Sequence, residues 1–316
     1  MLSVKVTKRQ LEADDIVSFE LVDPDSRELP AFAAGAHIDV VLASGRVRQY
    51  SLCNAPGESH RYLIAVLRES NGRGGSIWMH DVVQEGELIQ ISSPRNLFPL
   101  AVEARSSVLI AGGIGVTPIL AMAEQLNRQN ADFELHYCAR NWTRMAFADR
   151  IRNSNYASHV RFHVGTSNSP SGFQASSVLG PPDSGRHLYV CGPTGFMDCV
   201  LTAARQGGWA ETNLHREYFS AAATAHPAGS FEVELAKSGQ VFQIPPQKSV
   251  VEVLSEHGIE LPVSCEQGVC GTCLTRVLSG DPDHRDMFMT DEEHARNDQF
   301  TPCCSRSKTA RLVLDL

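Results

Sequence analysis

The chain has 316 residues, of which 42% are hydrophobic and 20% charged, with a formal net charge of −8. This length predicts two or three soluble domains, and the acidic balance argues against non-specific nucleic-acid binding, which needs a basic surface. No apolar run approaches the ~20 residues that span a bilayer and the first residues lack the apolar stretch of a signal peptide, so we expect a cytoplasmic protein without membrane contact.

The first hundred residues predict a small antiparallel β-barrel. Short runs of apolar and β-branched residues recur at intervals of about 8–12 residues and are separated by turn-forming residues, which is typical of such a barrel. The runs are SVKVTKRQ, IVSFELV, HIDVVL, RQYSLC, RYLIAVLR and ELIQIS.

From Ser106 onward, strands alternate with helices. The strand SSVLIA leads through a glycine turn into the helical stretch PILAMAEQLNRQ, and further strands follow at FELHYCA, HVRFHV and HLYVCG. Alternation of this kind predicts a parallel sheet covered by helices.

The segment 220–230, SAAATAHPAGS, is small, polar and proline-containing, as linkers are. Two strands, a helix, a cysteine-rich loop and a closing strand follow it. We therefore expect a β-barrel domain over 1–103, an α/β domain over 104–222, a linker over 223–230 and an α+β domain over 231–316.

Five of the nine cysteines lie in the last 52 residues. Thiols stay reduced in the cytosol, so clustered cysteines there hold metal more often than they form disulfides. Cys265, Cys270 and Cys273 follow the pattern C-x4-C-x2-C, and Cys303 comes after the 29 residues 274–302. Plant-type ferredoxins use this spacing for a [2Fe–2S] cluster, and two glycines inside the loop would let it wrap the cluster.

Two alternatives remain open at this cluster. A structural zinc site could use the same thiolates, although such sites usually show paired Cys-x2-Cys or Cys/His spacing. The adjacent Cys304 could replace Cys303 as the fourth ligand. The 29-residue spacing favours Cys303, and Cys304 is then expected to be a packed thiol.

Two glycine-containing turns follow predicted strands in the α/β domain. Glycines at such turns allow a pyrophosphate to approach the backbone and a helix N-terminus, although each could also serve only tight packing. In the first turn, Thr117 is expected to be the helix N-cap and Pro118 to occupy the first helical turn. The candidate nicotinamide-site residues are Gly112, Gly113, Gly115 and Thr117 in the first turn and Cys191, Gly192 and Pro193 in the second.

The barrel contains candidate flavin-binding residues on a strand and on a glycine turn. Tyr50 could lie against a flat heteroaromatic ring, and Ser51 could hydrogen-bond to it. Backbone N–H groups of the turn could bind a phosphate, with Arg48 or Arg73 as its counter-charge. Tyr50 could equally be an ordinary barrel residue and the glycines an ordinary turn. The remaining members of the two motifs are Gln49, Gly74, Gly75 and Ser76.

Together these motifs resemble the ferredoxin–NADP⁺ reductase superfamily, with its R-x-Y-S, G-x-G-x-T-P and C-G-P elements. With the ferredoxin unit at the C-terminus, the chain resembles the phthalate dioxygenase reductase family, which includes the reductase components of vanillate O-demethylase. The segments that carry this resemblance are SCEQGVCGTC, SGDPDHRDMFMTDEE and CCSR followed by RLVLDL.

The resemblance implies a multidomain fold: an antiparallel β-barrel flavin domain, an α/β parallel-sheet nicotinamide domain and an α+β β-grasp ferredoxin domain. It implies FMN, held by Arg48 to Ser51, by Gly74 to Ser76 and by Ala65, Val66 and Leu67. Thr117 would face the flavin, Cys191 would lie near the nicotinamide, and Phe219 would lie beside the flavin ring.

The implied reaction is electron transfer. NADH would give a hydride to FMN, and single electrons would pass through the cluster to a Rieske-type oxygenase partner. The cofactors perform the redox chemistry, so the sequence predicts no dedicated catalytic acid or base. The alternatives are a redox carrier that uses only the iron–sulfur domain, and a stand-alone flavin oxidoreductase with another acceptor.

We expect NADH to be preferred over NADPH. A 2′-phosphate normally needs a positive charge beside the adenosine ribose, and the segments expected there are 139–141 and 165–168. The second offers only Gly, Thr, Ser and Asn, whereas Arg140 in the first could bind a phosphate.

Overall fold

The structure, a computed structural model, describes residues 1–70, 72, 74–165, 173–219 and 229–316. It divides into two compact units, Met1–Glu217 and Tyr218–Leu316. No helix in the described ranges is both long and apolar enough to cross a membrane. Most of the predicted linker lies outside the described residues, so the linker and the three domain boundaries remain predictions.

The first part of unit 1 is the predicted antiparallel barrel. Its elements are β1 (Leu2–Ala13), β2 (Ile16–Val22), β3 (Ala36–Val41), β4 (Val47–Ser51), β5 (Tyr62–Leu67), α1 (Gly75–Asp81), β6 (Leu88–Ile91) and β7 (Arg95–Asn96). The strand order is β4-β3-β6-β1-β2-β5, with β7 pairing to β3. The outer strands β4 and β5 contact each other, which closes the barrel. Along β1 alternate residues are buried, as Val4 and Val6 illustrate, whereas β3 is buried on both faces.

The second part of unit 1 is a five-stranded parallel sheet. Its strands are β8 (Ser106–Gly112), β9 (Asp132–Ala139), β10 (Val160–Val164), β11 (Arg186–Cys191) and β12 (Leu214–Glu217), in the order β10-β9-β8-β11-β12. Its helices are α2 (Val116–Arg128), α3 (Ala148–Arg152), α4 (Ala175–Val178) and α5 (Thr194–Gln206). The predicted alternation of strands and helices is confirmed.

The barrel and the parallel sheet share one apolar interior. A single cluster of buried residues includes Ile16, Ala65 and Phe98 from the barrel side together with Leu109 and Ile119 from β8 and α2. Because burial of apolar side chains is the main favourable term in folding, this shared cluster fixes the barrel against the α/β layer. Residues at the ends of their strands can therefore form one site.

Unit 2 is a mixed sheet with two helices. Its elements are β13 (Phe231–Leu235), β14 (Val241–Ile244), α6 (Val250–Glu256), β15 (Thr275–Ser279), β16 (Pro282–Asp283), α7 (Asp291–Arg296), β17 (Gln299–Phe300), β18 (Arg306–Ser307) and β19 (Arg311–Leu314). The main sheet has the order β14-β13-β19-β15-β17, and β16 pairs with β18. Capping boxes begin both helices, with Ser249 and Glu252 on α6 and Thr290 and Glu293 on α7.

Candidate functional site

The two predicted glycine turns meet at the centre of the parallel sheet. They follow β8 and β11, which are neighbours in the sheet. After β8 the chain adds β9 and β10 on one side of this pair, and after β11 it adds β12 on the other side. This is the topological switch point, where open α/β sheets bind ligands. A Cβ added at Gly192 would lie 3.0 Å from Gly112 Cα, and one added at Gly115 would lie 2.3 Å from the Cys191 carbonyl oxygen. Close backbone approach therefore requires glycine here.

The helix after the first turn begins earlier than expected. A 3₁₀ turn, Gly113–Gly115, runs directly into α2, so that Gly115 precedes the first helical residue. The expectation that Thr117 is the N-cap was wrong, because the 3₁₀ turn has already started the helical winding. The buried Thr117 hydroxyl instead donates to the Ile114 carbonyl at 3.0 Å. Pro118 lies in the first helical turn, as predicted.

The barrel strands bring their candidate residues to the same place. Ser51 is the last residue of β4 and is buried, and the range 65–67 ends β5. β5 contacts the Gly113–Gly115 turn of the α/β layer. The candidate flavin residues of β5 and the candidate nicotinamide residues of the first turn are therefore neighbours in space.

The other members of the β4 motif have distinct surroundings. The Gln49 side chain donates to Asp39 Oδ1 at 3.2 Å on the adjacent strand β3. Tyr50 is half-buried, and burial raises the pKa of its phenol well above the usual range. The half-buried Tyr50 ring keeps an accessible aromatic surface against which a heteroaromatic ring could stack.

A cradle suited to a phosphate lies at the start of α1. Gly74 has a φ of +85° and precedes the helix, whose first N–H groups lack intrahelical partners. The buried Arg48 side chain lies directly against Gly75, where an added Cβ would stand 2.8 Å from Arg48 Cγ. A guanidinium beside unpaired N–H groups fits a phosphate dianion. The other candidate cation, Arg73, lies outside the described residues.

One residue in the site was missed by the sequence analysis. Glu217 ends β12 beside Cys191 on β11, and the Ser51 hydroxyl donates to Glu217 Oε2 at 3.3 Å. Burial raises the pKa of Glu217 to about 8, partly offset by the hydrogen bond from Ser51. The contact joins residues 166 apart in the chain. In the sequence analysis, only the nearby Phe219 marked this region.

We predict that Glu217→Gln flattens the pH dependence of stability. The folded-state pKa, about 8, exceeds the ordinary value of 4.5, so the folded chain keeps a proton that the unfolded chain loses between these values. The free energy of unfolding should therefore fall as pH rises through this window, by up to ~1.4 kcal/mol per pH unit. Unfolding of the full chain, followed by flavin fluorescence at pH 5–8, checks this.

The control for this prediction is Glu211→Gln. Glu211 is exposed and its pKa is lowered by the hydrogen bond from Arg205. Its titration lies below the window, so the slope between pH 6 and 8 should stay as in the parent protein. An unchanged slope in Glu217→Gln would contradict the prediction.

The four predicted cluster cysteines converge in unit 2. None of the four side chains is more than 8% exposed. The Cys265 sulfur is close to those of Cys270 and Cys303, and the Cys273 sulfur is close to that of Cys303; these contacts lower the pKa of Cys265 and Cys273. The Gln267 N–H also points at Cys265 Sγ, at 3.3 Å. Four thiol groups around one small volume, with an N–H donor, fit a [2Fe–2S] cluster.

Cys304 has a different environment from Cys303. Its sulfur lies 3.3 Å from Thr301 Oγ1 and would be 2.5 Å from a Cβ added at Gly268, although it also contacts Cys303. Cys304 thus packs behind the cluster loop. Gly268 has a φ of +72° and has no room for a side chain, so glycine is required at this position.

Two expected contacts of the sequence analysis stay predictions. Phe219 is 37% exposed in the unit that begins at Tyr218, and its expected place beside a flavin is one of them. Residues 166–168, expected near the ribose, lie outside the described ranges, whereas Arg140 is exposed just beyond β9.

A closed barrel beside a nucleotide-type switch point, in a chain whose four buried cysteines converge, defines an electron-transfer oxidoreductase. Residues 233–308 match the family described as "2Fe-2S iron-sulfur cluster binding domain". Residues 91–214 match "Dimethylamine monooxygenase subunit DmmA-like, N-terminal domain".

Full-length relatives narrow the class. The chain is 55% identical over 318 residues to vanillate O-demethylase oxidoreductase of Pseudomonas putida, covering 100% of both. It is 43% identical to phthalate dioxygenase reductase of Burkholderia cepacia, covering 100% of this chain and 97% of that protein. A solved phthalate dioxygenase reductase, titled as a modular structure for electron transfer from pyridine nucleotides to [2Fe–2S], superposes with a TM-score of 0.82 at 42% identity, covering 100% and 98% of the chains.

The chain belongs to the phthalate dioxygenase reductase family. The predicted three-part fold and the predicted class of enzyme are confirmed at this level, as is the expected cofactor set of FMN, NADH and a [2Fe–2S] cluster. The residues that hold each cofactor stay predictions.

Proposed function

We propose that this chain is the reductase component of a Rieske-type aromatic oxygenase system, in which NADH is the electron source and FMN and [2Fe–2S] carry the electrons. The observation that carries the proposal is the hydrogen bond from Ser51 of the barrel to Glu217 of the parallel sheet. It joins the candidate flavin strand to the end of β12, which lies beside Cys191 of the second glycine turn. FMN, when bound, would accept two electrons from the hydride donor and release them one at a time.

The chain's own residues would bind and orient the cofactors. We propose that Arg48 and the start of α1 bind the FMN phosphate and that Tyr50 covers the ring. Glu217 would hold a proton beside Ser51, near the reacting rings, on the carboxyl oxygen other than the Oε2 that accepts the Ser51 hydrogen bond. The proposed cofactor-binding residues are Arg48, Gln49, Tyr50, Ser51, Ala65, Val66, Leu67, Gly74, Gly75, Ser76, Gly112, Gly113, Gly115, Thr117, Cys191, Gly192, Pro193 and Phe219. The proposed cluster ligands are Cys265, Cys270, Cys273 and Cys303.

The electron acceptor is proposed to be a terminal oxygenase that docks near the cluster loop. Phe288 is 42% exposed, and its ring lies over Gly271, between two of the proposed ligands. An exposed aromatic side chain beside a cofactor is typical of a protein-binding surface. We also propose a cytoplasmic location, supported by nine cysteines without a disulfide.

The experiment that tests the proposal combines cofactor content with turnover. We expect one FMN, two irons and two acid-labile sulfides per chain, together with NADH-dependent reduction of cytochrome c as a surrogate acceptor. FAD in place of FMN, or zinc in place of iron, would reject the assignment. A cluster without flavin would favour a simple redox carrier, and rapid turnover of a small organic substrate would favour a stand-alone oxidoreductase.

We predict that kcat/KM for NADH exceeds that for NADPH by about 30–150-fold. The missing ion pair to a 2′-phosphate is worth ~2–3 kcal/mol. Parallel steady-state measurements with the two nucleotides at one salt concentration check this ratio.

The matched variant is Arg140→Ser, which removes the exposed cation beyond β9. It should leave both kcat/KM values unchanged if Arg140 does not reach the phosphate. A ratio near one in the parent protein, combined with a specific loss of NADPH activity in Arg140→Ser, would show that Arg140 binds the 2′-phosphate.

A further inference from the structure

A group of three potential metal ligands lies in unit 2 outside the four cysteines. We call it the His-Asp-His cluster: His284 and Asp286 follow β16, and His294 lies on α7. Their ligand atoms all lie within 4.8 Å of one another. His294 Nε2 is 3.2 Å, and His284 Nδ1 is 4.0 Å, from the same oxygen, Oδ1 of Asp286. The two imidazole rings stack at 4.4 Å, so these nitrogens face one side.

The cluster is buried and contains one unpaired nitrogen. The Asp286 side chain is fully buried and that of His284 is 7% exposed. His284 Nε2 lies 3.0 Å from Asn297 Oδ1, an atom that can only accept, so Nε2 carries the proton. The lone pair of His284 Nδ1 is therefore directed toward the carboxylate, and this nitrogen is buried without a hydrogen-bond partner. Two electron-rich atoms that face each other in a buried site repel each other, and a positive charge between them would remove this repulsion.

The surrounding contacts resemble the outer shell of a metal site. Asp286 Oδ2 accepts a hydrogen bond from the Met289 N–H at 2.8 Å, which fixes the carboxylate and leaves Oδ1 for the imidazoles. The bond from His284 Nε2 to Asn297 holds that ring in one tautomer. Metal-binding histidines usually donate their other N–H in this way, and metal-binding carboxylates are usually hydrogen-bonded themselves.

We propose that the His-Asp-His cluster binds one divalent first-row transition-metal ion, best matched by Zn²⁺, through His284 Nδ1, His294 Nε2 and an oxygen of Asp286. Zinc bonds of ~2.0–2.1 Å in a tetrahedron separate ligand atoms by about 3.3 Å. The 3.2 Å between His294 and Asp286 matches this value, and the 4.0 Å between His284 and Asp286 would have to shorten by about 0.7 Å when the ion binds. Imidazole and carboxylate ligands suit such ions. His294 is 24% exposed, which provides an entry path and room for a water as the fourth ligand.

This ion would hold the cysteine loop, residues 265–273, against the segment that contains Asp286. The Met287 N–H donates to the Gly268 carbonyl at 2.9 Å, and a Cβ added at Gly268 would lie 3.0 Å from Asp286 Cα. The loop that carries the proposed iron ligands therefore rests directly on the residue that anchors the His-Asp-His cluster. An ion that ties Asp286 to α7 would restrain this loop.

The test uses the purified holoprotein with its own cofactors. After equilibrium dialysis against about 10 µM ZnSO₄, which exceeds the dissociation constants typical of structural zinc sites, elemental analysis should find one zinc per chain in addition to two irons. His294→Gln should lose this zinc and keep both irons. His257→Gln, which removes an exposed histidine of the same unit, should retain the zinc.

Iron content and visible circular dichroism are recorded for every sample, so zinc that displaces iron is not counted. Asp286→Asn provides a second variant in case His294→Gln disturbs the loop. Absence of extra zinc in the parent protein would overturn the proposal. So would equal zinc in His294→Gln, Asp286→Asn and His257→Gln. Added zinc should also lengthen the lifetime of the cluster in air at least ~2-fold in the parent and in His257→Gln, but not in His294→Gln.

Discussion

Cys303→Ser is expected to lower NADH-dependent reduction of cytochrome c by about two orders of magnitude or more, because the cluster loses one of its four thiolates. Reduction of the flavin by NADH should continue, since hydride transfer precedes the cluster. Cys303 is the residue whose sulfur contacts both Cys265 and Cys273. Stopped-flow absorbance of the flavin, together with iron content and steady-state rates, separates the two steps.

The adjacent Cys304→Ser is the matched control. Its sulfur contacts Thr301 and the back of Gly268, and serine preserves a hydrogen-bonding group there. We expect a nearly unchanged iron content and rate. If Cys304→Ser loses the cluster while Cys303→Ser keeps it, the fourth ligand is Cys304 and the proposed ligand set is wrong.

Gly115→Ala is expected to lower kcat/KM for NADH about 150-fold or more. The added methyl would lie 2.3 Å from the Cys191 carbonyl oxygen and 2.6 Å from the Gly192 nitrogen, both of which are backbone atoms. Relieving this overlap must separate the two turns, at a cost of about 3 kcal/mol. Steady-state kinetics and the NADH dependence of flavin reduction measure the effect.

A suitable control is Gly229→Ala, where an added Cβ meets nothing within 4 Å and φ is not left-handed. Its kcat/KM should stay within about 2-fold of the parent, as for a surface substitution. FMN content shows whether Gly115→Ala still folds around its flavin. A Gly115→Ala variant with unchanged kcat/KM would show that the turns can separate freely.

Much of this fold follows from local patterns. The barrel runs, the strand–helix alternation after Ser106 and the helix that Ser249 caps are each determined by residues within one or two turns of chain. The cysteine spacing predicts the cluster site for the same reason, because three of the proposed ligands come from one nine-residue loop, 265–273. For these features, the short-range sequence carries the physical constraint.

Other features depend on contacts between distant segments. Glu217 is an ordinary strand residue until folding brings Ser51 to it and reduces its contact with water. The His-Asp-His cluster likewise needs the turn after β16 to meet α7, although His284 and Asp286 lie within SGDPDHRDMFMTDEE and His294 follows it directly. The start of α2 was misassigned because a threonine before a proline favours an N-cap locally, whereas the preceding glycines continue the winding.

The low solvent exposure of the proposed cluster ligands affects the rate of electron transfer. With each proposed ligand at most 8% exposed, few water dipoles must reorient when the charge of a cluster there changes. The reorganisation energy is then small, and transfer can be fast without a large drop in potential. A dry site also disfavours added negative charge, and N–H donors such as that of Gln267 at Cys265 oppose this effect. Burial would thus favour a high rate of electron transfer. The backbone hydrogen bonds would keep the reduction potential of the cluster high enough for the flavin to reduce it.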